Sequence, residues 1–229
     1  METLKHLNLK PTYSDSFSFG WELMKEKFLR LFLLILILGA VAIPLGMLSD
    51  AKELHTAGAV FLNIVGFAYL FLVYPVFEYS GKYMFLQAVR NEELDYKNII
   101  RGFNNYLNVI LSYLLVMALV GISFVFLIVP GIIVACRLAF VKYLVMDKGL
   151  DPITAVEESW RMTKGLGWTI FGMAIMSFFI ALAGLLCLVV GIFPAIIWIN
   201  NAFAALYQGA LNQRAAEAVQ AEAPPAVQS

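Results

Sequence analysis

Only 14% of the 229 residues are charged, and the chain holds just two histidines and two cysteines. Each scarcity excludes something. With 61% of residues hydrophobic, too little polar surface is left to cover a soluble globule of this length, so the missing surface implies lipid. His6 and His55 are isolated and fall on opposite sides of the expected membrane, which argues against a shared metal site. Cys136 and Cys187 each sit in an apolar run and read as small packing residues. A similar expected depth near the outer leaflet leaves an interhelical disulfide open without requiring one. No Gly-rich phosphate loop, HExxH, GxSxG or paired-cysteine zinc pattern occurs. The chain is therefore expected to be no enzyme and to carry no catalytic residue, metal or cofactor, and nothing points to nucleic acid.

What is present is a repeated pattern. Between Asp95 and Leu211 an amphipathic basic segment, an apolar run, an X-Pro break and a second apolar run occur twice, with the breaks at Val129-Pro130-Gly131 and Phe193-Pro194-Ala195. Apolar runs cover about residues 28–48, 57–79, 106–129, 131–146, 167–192 and 194–211. Most approach the roughly 20 residues that cross a hydrocarbon core. The fourth is short, so it needs tilt, a thinned bilayer or snorkelling by Lys142 and Lys148; a re-entrant hairpin is the rival reading. The expected fold is an all-α integral membrane protein of about six transmembrane helices. These form three outward-pointing hairpins, each preceded by an amphipathic interfacial helix. Repeat-like units span 14–90, 92–148 and 151–212 within a single membrane domain, 14–212, flanked by a cytoplasmic segment, 1–13, and a disordered tail, 213–229.

Basic residues set the orientation. Lys5, Lys10, Lys25, Lys27 and Arg30 gather before or at the start of the first run, Lys82, Arg90, Lys97 and Arg101 lie between the second and third, and Lys142, Lys148, Arg161 and Lys164 from the end of the fourth to the start of the fifth. The opposite side offers only Lys52. The positive-inside rule then puts both termini in the cytoplasm. No small-residue cleavage site follows the first run, so it is expected to stay as a signal anchor.

The amphipathic segments carry stripes at helical spacing: Phe17, Trp21, Met24 and Phe28; Tyr96, Ile99, Phe103 and Tyr106; Ile153, Val156, Trp160 and Thr163. They read either as helices lying at the inner leaflet or as a cap packed on helix ends. In the interfacial reading Trp21, Phe103, Trp160, Arg161 and Lys164 are the anchors. Arg137 is the costly residue, since it falls six residues into a span, about 9 Å below the outer boundary by helical rise. Aligning the X-Pro breaks sets Asn201 opposite it, with Asn200 adjacent, so a polar pocket from equivalent positions is expected, with Glu78 as a counter-charge. A purely structural arginine is the alternative. Lys142 and Arg161 belong near anionic headgroups. Small residues spaced by four, Ser177 with Ala181 and Ala205 with Gly209, suit close helix packing within one chain or a homo-oligomer.

The stretch Ile128-Val-Pro-Gly-Ile-Ile-Val-Ala-Cys-Arg137, followed by Asp147-Lys-Gly-Leu-Asp-Pro-Ile-Thr-Ala-Val-Glu-Glu-Ser-Trp-Arg-Met-Thr-Lys-Gly165, resembles bacterial membrane proteins related to the membrane domain of glycerophosphoryl diester phosphodiesterases. The likeness is good over residues 92–212 and loose before them. It implies a multi-helix module of the bacterial inner membrane with a link to envelope or lipid homeostasis. No barrel-length segment follows the last apolar run, so phosphodiesterase activity is not expected to come with it. Three functions fit these residues: binding or moving a membrane lipid or amphiphile, an oligomeric channel or small-solute transporter, and a membrane scaffold for a partner protein.

Overall fold

Apolar runs this long can satisfy their backbone in lipid only as helices, and in the computed structural model the described residues, 9–50, 57–187 and 191–222, form helices joined by short turns, with no strand among them. The side chains of residues 44–50, 57–59 and 221–222 are not described. His6, His55, Lys52 and the end of the tail from residue 223 also lie outside the described residues. The order is α1 (Tyr13–Glu26), α2 (Phe28–Asp50), α3 (Ala57–Ala68), a π-helical turn (Tyr69–Val73), α4 (Tyr74–Val89), a 3-10 helix (Tyr96–Asn105), α5 (Tyr106–Phe126), α6 (Ile128–Arg137), α7 (Val141–Lys148), α8 (Pro152–Met162), α9 (Gly167–Leu186) and α10 (Ile192–Glu222).

Among the described residues, four helical stretches are long and apolar enough to cross a membrane: Val60–Val89, Tyr96–Phe126, Ile128–Lys148 and Gly167–Leu186. The chain is thus a multi-pass membrane protein by length and composition. The first apolar run forms α2, Phe28–Asp50, whose part with described side chains, Phe28–Ile43, is apolar. The last run falls short because Asn200, Asn201 and Gln208 interrupt it, and those residues are accommodated by protein: Asn201 is fully buried and Gln208 nearly so.

The core lies around α4, α7 and α10, where Tyr79, Met84, Leu86, Leu144, Leu206 and Tyr207 are fully buried. The far ends of α3, α5 and α9 expose Phe61, Phe126 and Leu186 instead, an apolar surface suited to lipid. Where α4 ends, Arg90 grips Asp147 of α7 through both oxygens, with Nη2 to Oδ2 at 2.8 Å, and donates from Nε to Gln208 of α10 at 2.8 Å. Tyr207 donates to the same Asp147 carboxylate. Three helices are tied at one carboxylate.

Two breaks have local causes. Pro75 has no N–H to donate, so its helix passes through the π turn just before it. The fourth run is also broken, into α6 and α7, by a turn at 138–140. The tail departs from expectation: α10 continues to Glu222, so 213–222 is helical rather than disordered. Ala, Gln and Glu are good helix formers, and Gln213 bonds Glu217 one turn on while Arg214 pairs with Glu158 of α8.

The amphipathic segments share one docking device. In each, a buried small residue approaches a membrane helix and the next residue is an aromatic left half-exposed: Gly20-Trp21, Gly102-Phe103 and Ser159-Trp160, with exposures of 42%, 43% and 45% for the aromatics. Gly20 docks on α10 at Trp198 and Ala202, Gly102 on α4 at Val76 and Ser80, and Ser159 on the α6–α7 turn at Arg137 and Phe140. The three contact carbonyls, Val76, Arg137 and Trp198, are evenly spaced along the chain. The segment at Gly20 therefore rests on α10, that at Gly102 on α4 and that at Ser159 on the turn between α6 and α7. The middle segment is 3-10 rather than α-helical.

Candidate functional site

α6 is ten residues long and ends at Arg137. The turn that follows frees the Arg137 carbonyl, which accepts from Ser159 Oγ at 2.7 Å and Thr163 Oγ1 at 3.2 Å, while the Phe140 N–H donates to Ser159 Oγ at 3.3 Å. Helix α8 is thus fixed to the break by the groups the break leaves over. Trp160 then comes beneath the guanidinium, whose Cζ is 5.8 Å from the ring centroid, within cation–π range. Arg137 Nη1 is buried with no hydrogen-bond partner among the described residues.

The guanidinium borders a groove of about 490 Å³ between α6 and α9, walled by Val129, Ile133 and Cys136 on one side and Trp168 and Phe171 on the other. Arg137 is the one charged side chain among the residues that line it. An apolar trough with a single cation has the polarity of an anionic amphiphile. The expected depth of Arg137 is corrected here. It stands beside Gly165, Gly167 and Trp168, where α9 begins, at the same end as Arg161 and Lys164 and at the opposite end of α6 from its junction with α5. Ten residues of α6 rise only about 15 Å, half a hydrocarbon core.

A second polar cluster lies between α4, α7 and α10. Glu78 forms an ion pair with Lys142, and Lys82 Nζ donates to Asn200 Oδ1 at 2.6 Å. Asn201 turns the other way: its Nδ2 donates to the Gly20 carbonyl, and its Oδ1 is buried without a partner among the described residues. Arg137 and the asparagines therefore do not build one pocket. In the docking register it is Trp198 that corresponds to Arg137: Arg137 lies seven residues after Pro130 and Trp198 only four after Pro194, so the alignment based on the prolines is three residues out. Glu78 serves Lys142 instead of Arg137. Among the proposed anchors, Arg161 is exposed and pairs with Glu158 at 3.5 Å, and Lys164 is exposed.

Lys82 and Trp168 are the site residues that spacing alone passes over. Lys82 counts as a loop cation if the second run ends near residue 79, but the helix continues to Val89. The signal available was the i, i+4 pair Glu78 and Lys82, which puts two charges on one face of an apolar helix. Outside the spans, Lys27 bridges the α1–α2 junction to the Ala88 carbonyl and Asn91, and its burial lowers the ammonium pKa. Comparison of the chain with family models, curated proteins and solved structures gives no match.

Proposed function

We propose that this is a non-enzymatic protein of the bacterial inner membrane that binds or moves a lipid or other amphiphile in envelope homeostasis. Arg137 receives the anionic headgroup and the α6–α9 groove takes a chain. The carrying observation is Arg137 Nη1, buried and unpartnered at the edge of an apolar groove. A guanidinium nitrogen buried without a partner leaves part of a charge uncompensated, and an anionic headgroup would supply that compensation. Trp160 and Trp168 beside the guanidinium suit headgroup level.

The same reading keeps both termini cytoplasmic, because Arg90, Lys148, Arg161 and Lys164 gather at the end where the amphipathic segments dock. It counts α2 and the first part of α10 as further spans, giving three outward hairpins. The resemblance of residues 92–212 to the phosphodiesterase-associated membrane domain agrees with a role in lipid handling. Native mass spectra of protein released from nanodiscs test the proposal by counting retained lipids. Arg137→Leu is expected to lose one headgroup-selective lipid and Arg137→Lys to keep part of that binding; unchanged retention in a folded Arg137→Leu protein would refute it.

A further inference from the structure

Glu78 and Lys82 sit one turn apart on α4, and both face a cleft of about 280 Å³ between α2, α4 and α10 that shares no lining residue with the Arg137 groove. The opposite wall is apolar, formed by Ile35, Leu38 and Ala42 of α2. The two charges are not equally compensated. Lys142 takes the Glu78 carboxylate, whereas Lys82 has no ion-pair partner among the described residues. Its one recorded bond goes to Asn200 Oδ1, and that amide is oriented by its own Nδ2, which donates to the Ile196 carbonyl at 2.8 Å. An ammonium has three donors, so Lys82 keeps capacity for further acceptors.

The cluster holds two cations and one carboxylate seven residues inside the end of the candidate span Val60–Val89, about 10 Å by helical rise. Lys142 pairs with Glu78 from outside the cleft lining, which leaves Lys82 as the cleft's uncompensated charge, most favourable with an anion against it. We propose that this cleft is a second binding site, for an amphiphile whose single compact anionic group, a phosphate or carboxylate, is held by Lys82. The chain lies along Ile35, Leu38 and Ala42. Glu78, facing the same space, selects against a second negative charge on the ligand.

Gly39 provides a test that leaves every charge in place. It lines the cleft, and a Cβ there would meet nothing within 4 Å, so Gly39→Leu fills the space without a backbone clash. In nanodiscs of phosphatidylcholine with phosphatidylglycerol, native mass spectra of the wild-type protein should show two selectively retained phosphatidylglycerols. Lys82→Met and Gly39→Leu should each remove one, Arg137→Leu should remove the other, and Lys82→Met with Arg137→Leu should remove both. Loss in Lys82→Met and Gly39→Leu but not in Arg137→Leu would support this site and refute the one at Arg137. Full retention in Gly39→Leu would overturn the present proposal, whatever the fate of Lys82→Met. The source of the anion is read by titrating wild-type protein in a neutral detergent with dodecyl phosphate and with inorganic phosphate. Dodecyl phosphate should bind more tightly, and Gly39→Leu should weaken it about tenfold or more. Equal binding of inorganic phosphate would overturn the lipid assignment in favour of a free anion.

Discussion

Gly20 lies against the backbone of Ala202: a Cβ on Gly20 would stand 2.9 Å from the Ala202 nitrogen and 3.2 Å from the Trp198 carbonyl oxygen. Backbone cannot rotate aside as a side chain can, so Gly20→Ala must push α1 away from α10. Overpacking of this kind costs about 1–3 kcal/mol. Gly102→Ala meets the same obstacle at the Val76 carbonyl, 2.8 Å away. Gly172→Ala is the control, since a Cβ there meets nothing within 4 Å and alanine favours the helix. Thermal unfolding in detergent should show a lower midpoint for the first two variants and an unchanged or higher one for the third. A Gly20→Ala protein as stable as wild type would contradict the close seam.

The stripes of Phe17, Trp21, Phe103 and Trp160 can be read from spacing because apolar periodicity is a local property. Their partners cannot, since Gly20 meets Ala202 and Lys82 meets Asn200 across most of the chain. Residues after Tyr79 looked like loop because hydropathy falls there, yet the helix runs on inside the bundle, where neighbours and not lipid surround Ser80, Gln87 and Arg90. Arg137 was recognisable as costly from its apolar context. Its true level depended on a turn after α6 that no single residue announces.

Asp147 accepts two bonds from Arg90 and one from Tyr207 while its side chain is only 10% exposed. Asp147→Asn keeps the shape and removes the charge, leaving a largely buried guanidinium without its counter-ion. Breaking such a pair from one side costs on the order of 3 kcal/mol. Tyr207→Phe deletes one neutral donor to the carboxylate and should cost about 1–2 kcal/mol. Urea unfolding in mild detergent should rank Asp147→Asn below Tyr207→Phe, and the reverse order would place the binding energy elsewhere.

Asp151 caps α8 by accepting from the Thr154 N–H at 3.1 Å, and the hydrogen bonds from Thr154 hold its carboxyl below the usual carboxylate range. A depressed folded value means that the stabilisation is present above the unfolded value and is lost as pH falls through the folded one. With an ordinary aspartate near about 3.9, amide protection in the first turn of α8 should decline only below that pH. Asp151→Asn should keep a cap that no longer titrates, and Asp151→Ala should lose protection at every pH. Hydrogen exchange across residues 152–156 reads all three, and a wild-type profile flat with pH would remove the role assigned to the carboxylate.

Cys136 and Cys187 are both free, but they do not lie at one depth as the sequence suggested. Cys136 borders the groove beside Gly167 and Trp168, where α9 begins, and exposed Cys187 caps the other end of that helix. Twenty residues of α9 separate the two levels by about 30 Å, far beyond the reach of a disulfide. In right-side-out vesicles an impermeant maleimide should label Cys187 and spare Cys136, and oxidation should yield no intramolecular bridge. Labelling of Cys187 only in inverted vesicles would reverse the proposed orientation. Because Cys136 shares its groove with Arg137, a bound amphiphile shields it, so Arg137→Leu should speed its reaction with a small permeant thiol reagent. An unchanged rate would mean that the groove holds no ligand there.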